Sequence, residues 1–166
     1  MDWPRERVSR GRRAARLGIA ALSLLGVADG LYMLAYHQGR IGSLVCPFFG
    51  EGCNKVGRSP HARHFGVPNA AVGVLGYAAM AALALWAGDK PPERRPLQPL
   101  GVASISLGAL AASVFLTWEQ AAKVKAFCFW CLLSAGINAA ILPLALSDGL
   151  KALRVVQRGR RLNRLL

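Results

Sequence analysis

The sequence predicts an all-α integral membrane protein: a four-transmembrane-helix bundle with an extracytoplasmic cysteine loop and a short interfacial helix. Three observations carry this. Four long apolar runs account for a hydrophobic fraction of 54% in 166 residues. The cations cluster at alternate ends of those runs. The four cysteines form two pairs, Cys46/Cys53 in a loop and Cys128/Cys131 at the start of the last run.

The first run, Leu17 to Tyr36, is interrupted only by Asp29; Phe65 to Gly88 and Pro96 to Trp118 carry no charge, and neither does Ala126 to Leu146. Each is close to the roughly 20 residues that cross a hydrocarbon core of about 30 Å. Backbone groups in lipid must be paired internally, so these runs are expected as helices, at about 17–36, 67–88, 97–118 and 127–147. The first run exceeds the apolar core of a signal peptide and has no clear small-x-small cleavage site after it, so a retained helix is expected. A loop of about thirty residues, 37–66, follows helix one. A turn from Asp89 to Pro96 contains three prolines, which cannot continue a helix. A short loop, Glu119 to Lys125, leads to helix four, and Asp148-Gly149 is expected to end it. Gly73, Gly76, Ala78 and Ala79, with Ser104, Gly108, Ala111 and Ala112, would let helices approach closely. The domains read as a basic cytoplasmic arm (1–16), a membrane redox domain (17–147) and a basic cytoplasmic tail (148–166).

The net charge of +13 invites a nucleic-acid reading, but its distribution speaks for a membrane. Fifteen of the 21 Lys and Arg lie before helix one, between helices two and three, or after helix four; six lie in the other two loops. The positive-inside rule then puts both termini in the cytoplasm of a multi-pass protein of the inner (plasma) membrane. The basic tails suit anionic headgroups, and no aromatic or motif support for nucleic acid accompanies them. Trp86, Trp118 and Trp130 lie near expected boundaries, where aromatic belts form.

This topology brings both cysteine pairs to the extracytoplasmic face, a disulfide-permissive compartment. Cys128 and Cys131 start helix four, where unpaired N–H groups and the helix dipole favour a thiolate. Their i, i+3 spacing sets the two sulfurs on one face, one toward the loop and one toward the bundle. Cys46 and Cys53 enclose Pro-Phe-Phe-Gly-Glu-Gly, and Gly50 and Gly52 make this segment pliable, suited to a moving redox arm. Ser59-Pro60 suits a cap with proline at the first helical position of a short helix over 59–65. The alternatives are a non-enzymatic membrane protein with two structural disulfides, or a metal-binding protein using the cysteines with His61 or His64. A four-cysteine zinc site is disfavoured by the wide loop spacing. Asp29, an intramembrane carboxylate, is a functional candidate by its position.

The order of a loop cysteine pair, Ser59 six residues beyond Cys53, Phe65-Gly66-Val67-Pro68, Cys-x-x-Cys opening the last helix, and Ile137-Asn138 resembles the vitamin K epoxide reductase family, in a bacterial form, over residues 17–147. The resemblance implies a thiol–quinone oxidoreductase with Cys46, Cys53, Cys128 and Cys131 as catalytic residues. A reduced thioredoxin-like extracytoplasmic partner, a separate protein, attacks Cys46; freed Cys53 attacks Cys128; Cys131 reacts with a menaquinone or ubiquinone. The activity implied is disulfide formation in exported proteins. Ala135 stands where many members carry a tyrosine, which argues against epoxide handling. Ser59, Phe65, Asn69, Trp130 and Asn138 are the expected quinone-binding residues, with the ring beside Cys131 under the 59–65 segment.

Overall fold

A computed structural model describes residues 3–86 and 96–162. Its elements are helix α1 (Trp3–His37), helix α2 (Gly52–Arg58), a 3-10 turn (Pro60–Ala62), a hairpin of β1 (Arg63–His64) and β2 (Val67–Pro68), helix α3 (Asn69–Trp86), helix α4 (Leu97–Glu119) continued by a π-helical segment (Gln120–Val124), and helix α5 (Phe129–Leu162). Among the described residues four helices are long and apolar enough to cross a membrane: Arg10–His37, Asn69–Trp86, Leu97–Val124 and Phe129–Arg158. They form the multi-pass bundle that the apolar runs predict. The turn expected at 89–96, with Lys90, Arg94 and Arg95, lies outside the described residues except for Pro96.

Helix α1 packs most extensively on α3 and α4 on α5, while α3 and α4 meet less. The bundle centre is apolar, built around Met80 and Ile141 with Ile19, Tyr77 and Val102. A second buried cluster at one end joins Met33, Leu44, Cys53, Val56 and Cys128, with Cys46 and Cys131 packed against it. All four cysteines therefore gather at one end of the bundle.

Several local expectations change. The basic arm is helical from Trp3 onward, continuous with α1. Helix α5 does not stop at Asp148-Gly149. Gly149 marks a helix crossing instead: a Cβ there would lie 2.7 Å from the Ala103 Cβ and 3.4 Å from the Pro99 carbonyl. Asp148 is held in the helix by Arg16 at 3.6 Å and Lys151 at 3.7 Å. The loop expected at Glu119–Lys125 is helical almost throughout, ending at Lys125 in the left-handed region (φ 52°). Three of the small residues expected at close helix approaches, Gly73 and Gly76 of α3 and Gly108 of α4, do not make them. A Cβ on Gly73, Gly76 or Gly108 would meet nothing within 4 Å, because these residues line a cavity. Close approach falls to Gly26 and Gly30 of α1, where a Cβ would lie 2.6 Å from the Tyr77 ring and 2.7 Å from Val74.

The second cysteine of the loop lies in a helix, α2 (Gly52–Arg58). Gly52 opens α2, and a Cβ there would run into the Phe127 carbonyl, so this glycine serves close approach rather than pliability. The expected helix over 59–65 reduces to the single turn Pro60–Ala62, with Pro60 at its first position. Ser59 does not cap it through its side chain; its hydroxyl donates back to the Val56 carbonyl at 2.7 Å. Phe65 and Gly66 form the two-residue hairpin tip, with φ of 53° and 79°. Positive φ at both positions matches the twist of a tight hairpin. Phe65 is fully exposed at this tip, a backbone conformation uncommon for a bulky residue.

Candidate active site

Cys46 and Cys53 form a disulfide with Cα atoms 5.7 Å apart, and Cys128 and Cys131 are free thiols. Cys53 and Cys128 are both completely buried, whereas Cys46 is partly accessible. The sulfur of Cys53 accepts a hydrogen bond from the Phe129 N–H at 3.3 Å. Phe129 is the first residue of α5 and follows Cys128 directly, so the inner sulfur of the loop disulfide lies against the α5 N-terminus. Unpaired N–H groups and the helix dipole at that place favour sulfur bearing negative charge.

The surrounding side chains fix this geometry. Gln120, in the π-helical segment, accepts the Cys128 N–H on Oε1 at 2.8 Å. Cys128 itself accepts the Leu132 N–H at 3.1 Å, which makes it the residue that precedes and caps α5. Val45, next to Cys46, is clamped on both polar groups: its N–H donates to the Tyr32 hydroxyl at 3.0 Å, and its carbonyl accepts the Trp130 indole N–H at 2.7 Å. Tyr32 and Trp130 also meet ring to ring, with centroids 4.8 Å apart. Asn54 accepts the Leu44 N–H at 2.8 Å, tying the other flank of the loop to α2. The cysteine pattern announces none of these supports except Trp130. Gln120, Tyr32 and Asn54 are polar residues in ordinary surroundings, and only the fold aims them.

The Cys128 thiol lies below its ordinary pKa. The largest cause is the hydrogen bond with the Cys131 thiol; the N–H groups of Cys131 and Trp130 add to it, and burial opposes it. A depressed thiol pKa keeps thiolate present to lower pH, and that thiolate is lost only as pH falls through the lowered value. With Cys46 and Cys53 replaced by alanine, the first thiolate absorbance of the reduced protein should therefore persist below the range of a free cysteine. Cys131→Ala, which removes the leading cause, should move that titration back up. An unchanged midpoint would show that the neighbouring thiol does not set it.

Cys131 opens onto a cavity of about 110 Å³, also lined by Asp29, His61, Asn69, Glu119 and Trp130. A larger cavity of about 550 Å³ lies between α3 and α4 and is lined by Phe65, Asn69, Gly73, Gly108 and Asn138. The two share Asn69, Gly73, Tyr77, Ser113, Leu116 and Ser134. Of the expected quinone-binding residues, Asn69 borders both cavities, Trp130 the smaller, Phe65 and Asn138 the larger, and Ser59 neither. Asn138 Nδ2 donates to the Ser113 hydroxyl at 2.9 Å, while its buried Oδ1 has no hydrogen-bond partner among the described residues.

The sequence profile of the vitamin K epoxide reductase family matches residues 17–146, more than half of the chain. The chain belongs to this family. No curated protein matches it. Family membership makes the protein a membrane oxidoreductase of thiols, disulfides and quinones, since quinones serve the family as electron carriers and thioredoxin-like proteins as its typical partners. Two features of the cysteine end stand out in the geometry: the buried Cys53 sulfur against the start of α5 and the cavity that Cys131 lines.

The histidines acquire surroundings that sequence spacing does not reveal. His61 Nδ1 lies 2.9 Å from Glu119 Oε1, and His64 Nε2 lies 3.3 Å from Glu119 Oε2. His64 Nδ1 meets Asn69 Oδ1 at 2.8 Å, and Asn69 Nδ2 donates to the His61 carbonyl at 2.8 Å. Among the described residues no three of His, Cys, Asp and Glu are arranged to hold a metal ion.

Proposed function

We propose that the protein reoxidises a separate thioredoxin-like dithiol protein on the extracytoplasmic face and passes the electrons to a long-tailed membrane quinone, so supporting disulfide formation in exported proteins. The observation that carries this reading is the placement of Cys53: its sulfur is sealed from solvent and bonded to the first N–H of α5, beside Cys128.

The roles follow from access and charge. Cys46 is the reachable sulfur, so an external thiolate attacks there and Cys53 is the leaving group. The Phe129 N–H stabilises Cys53 as thiolate, and thiolate is the form that attacks a second disulfide. When Cys128 and Cys131 are oxidised, Cys53 attacks Cys128 and Cys131 leaves as thiolate toward the cavity. The donor's second thiolate displaces Cys46 and the donor departs as its disulfide; Cys46 thiolate then attacks Cys53 and displaces Cys128, which restores the loop disulfide and leaves the reduced Cys128/Cys131 pair. A quinone supplies a two-electron acceptor that departs as quinol. The space fits such a molecule: a flat ring suits the smaller cavity beside Cys131, Asn69 and Trp130, and an apolar tail suits the groove between α3 and α4, where glycines leave room. Phe65 stands at the mouth of that groove, Asn138 offers an unpartnered carboxamide oxygen along it, and Ser59 stays outside as a loop residue.

The deciding experiment gives the purified full chain a reduced thioredoxin-like donor and a quinone. Quinone consumption that requires both donor and protein, and that improves as the isoprenoid tail lengthens, is expected. Cysteines inert toward the donor, with no quinone reduced, would point instead to structural disulfides.

A further inference from the structure

Each exchange between sulfurs moves an electron pair without a proton. An attacking thiolate becomes half of a disulfide, and the displaced sulfur leaves as thiolate. The two protons of the donor dithiol are thus left in external water, while the Cys128/Cys131 pair gives up two electrons to an acceptor that needs two protons to become quinol. Those protons have to reach the cavity beside Cys131 by another way.

We propose that Glu119, with His61 and His64 as its water-facing contacts, and Asp29 across the cavity form a proton path from the loop-bearing end of the bundle to the acceptor site beside Cys131. This rests on the quinone reading above. Glu119 is 7% exposed and Asp29 8% exposed, and both line the cavity that Cys131 lines. The side chains of His61 and His64 are 37% and 36% exposed, so Glu119 touches two groups in reach of water while itself lying inside. Asp29 Oδ1 and Glu119 Oε2 are buried with no hydrogen-bond partner among the described residues; His64 Nε2 approaches Glu119 Oε2 to 3.3 Å without hydrogen-bonding geometry. A buried carboxylate oxygen left unbonded is costly unless something else uses it. The other titratable groups facing this cavity are His37 from α1, Tyr77 from α3 and Cys131 from α5. Tyr77 is committed through its hydroxyl to Ser134, at 2.9 Å from the carbonyl and 2.8 Å from Oγ. Glu119, recharged through the histidines it touches, hands a proton into the cavity, and Asp29 holds one at the cavity wall, so electrons enter by sulfur and protons by carboxyl.

The test separates the two half-reactions in Asp29→Asn and Glu119→Gln. Reduction of the protein by the dithiol donor, followed by acid quenching and thiol alkylation, should stay within about twofold of wild type. Quinone reduction should fall on the order of 100-fold in each variant, the scale of a lost acid–base group, and recover in part in Asp29→Glu and Glu119→Asp. A second readout needs no quinone. Infrared difference spectra between cysteine-reduced and cysteine-oxidised protein should contain protonated-carboxyl bands that Asp29→Asn and Glu119→Gln remove. Wild-type quinone rates in both variants overturn the path, as do spectra without carboxyl bands. A matching fall in both half-reactions would assign these residues to packing and overturn it too. If the wild-type protein takes electrons from the donor and reduces no quinone, the quinone reading fails and the path falls with it.

Discussion

Cys131→Ser should abolish multiple-turnover quinone reduction, by on the order of 10⁴-fold or more, the scale at which loss of a covalent nucleophile shows. Cys131 is the cysteine that lines the smaller cavity, and Cys128 is sealed away from solvent. A serine keeps the size of the side chain and offers no sulfur to close a disulfide with Cys128. The loop disulfide is intact in this variant, so one equivalent of donor dithiol should still be oxidised in a single burst, after which the reaction stops. Following donor oxidation and quinone absorbance together distinguishes the burst from turnover. Turnover near the wild-type rate would remove Cys131 from the terminal position.

Replacing Cys46 and Cys131 together should leave Cys53 and Cys128 to form a disulfide under mild oxidation, seen as a linked peptide by mass spectrometry without reduction. The motivation is the 3.3 Å hydrogen bond from the Phe129 N–H to Cys53 Sγ, which brings the loop sulfur to the residue next to Cys128. Burial of both sulfurs shields the bond from competing thiols. The corresponding single changes, Cys53→Ser and Cys128→Ser, should each stop the relay with losses as large as that of Cys131→Ser, because exchange requires a thiolate and a sulfur to attack. The helices should stay assembled, since neither thiol belongs to the Met80–Ile141 core. Absence of the cross-link under oxidising conditions would mean that the two pairs do not communicate, and electrons would need another entry to Cys131.

Much of the architecture was legible in the residues. Apolar runs of about twenty residues have one stable backbone solution in lipid, so helices α1, α3, α4 and α5 follow from composition alone. The cysteine spacing likewise drew attention to one end of the bundle, where all four cysteines gather, because a chemically distinctive residue used sparingly is visible without any fold. What failed to read correctly were signals with two physical uses. Gly149 looked like a helix stop and is a point of close approach to Ala103. Gly73, Gly76 and Gly108 looked like packing surfaces and border open space. Gly52 looked pliable and is pinned against the Phe127 carbonyl. A missing Cβ permits all of these, and only the neighbour decides which one applies.

The sequence by itself therefore determined the class of protein and the number of spans, and marked the cysteines as the candidate redox groups, since each depends on local hydrophobicity or on residue type. Tertiary structure alone decided which sulfur is sealed, which opens to a cavity, and which polar groups support them. Gln120 at the Cys128 N–H, Tyr32 and Trp130 on Val45, and Glu119 between His61 and His64 all join segments distant along the chain. Hydrogen bonds act over about 3 Å, so their partners are fixed only once the helices have packed.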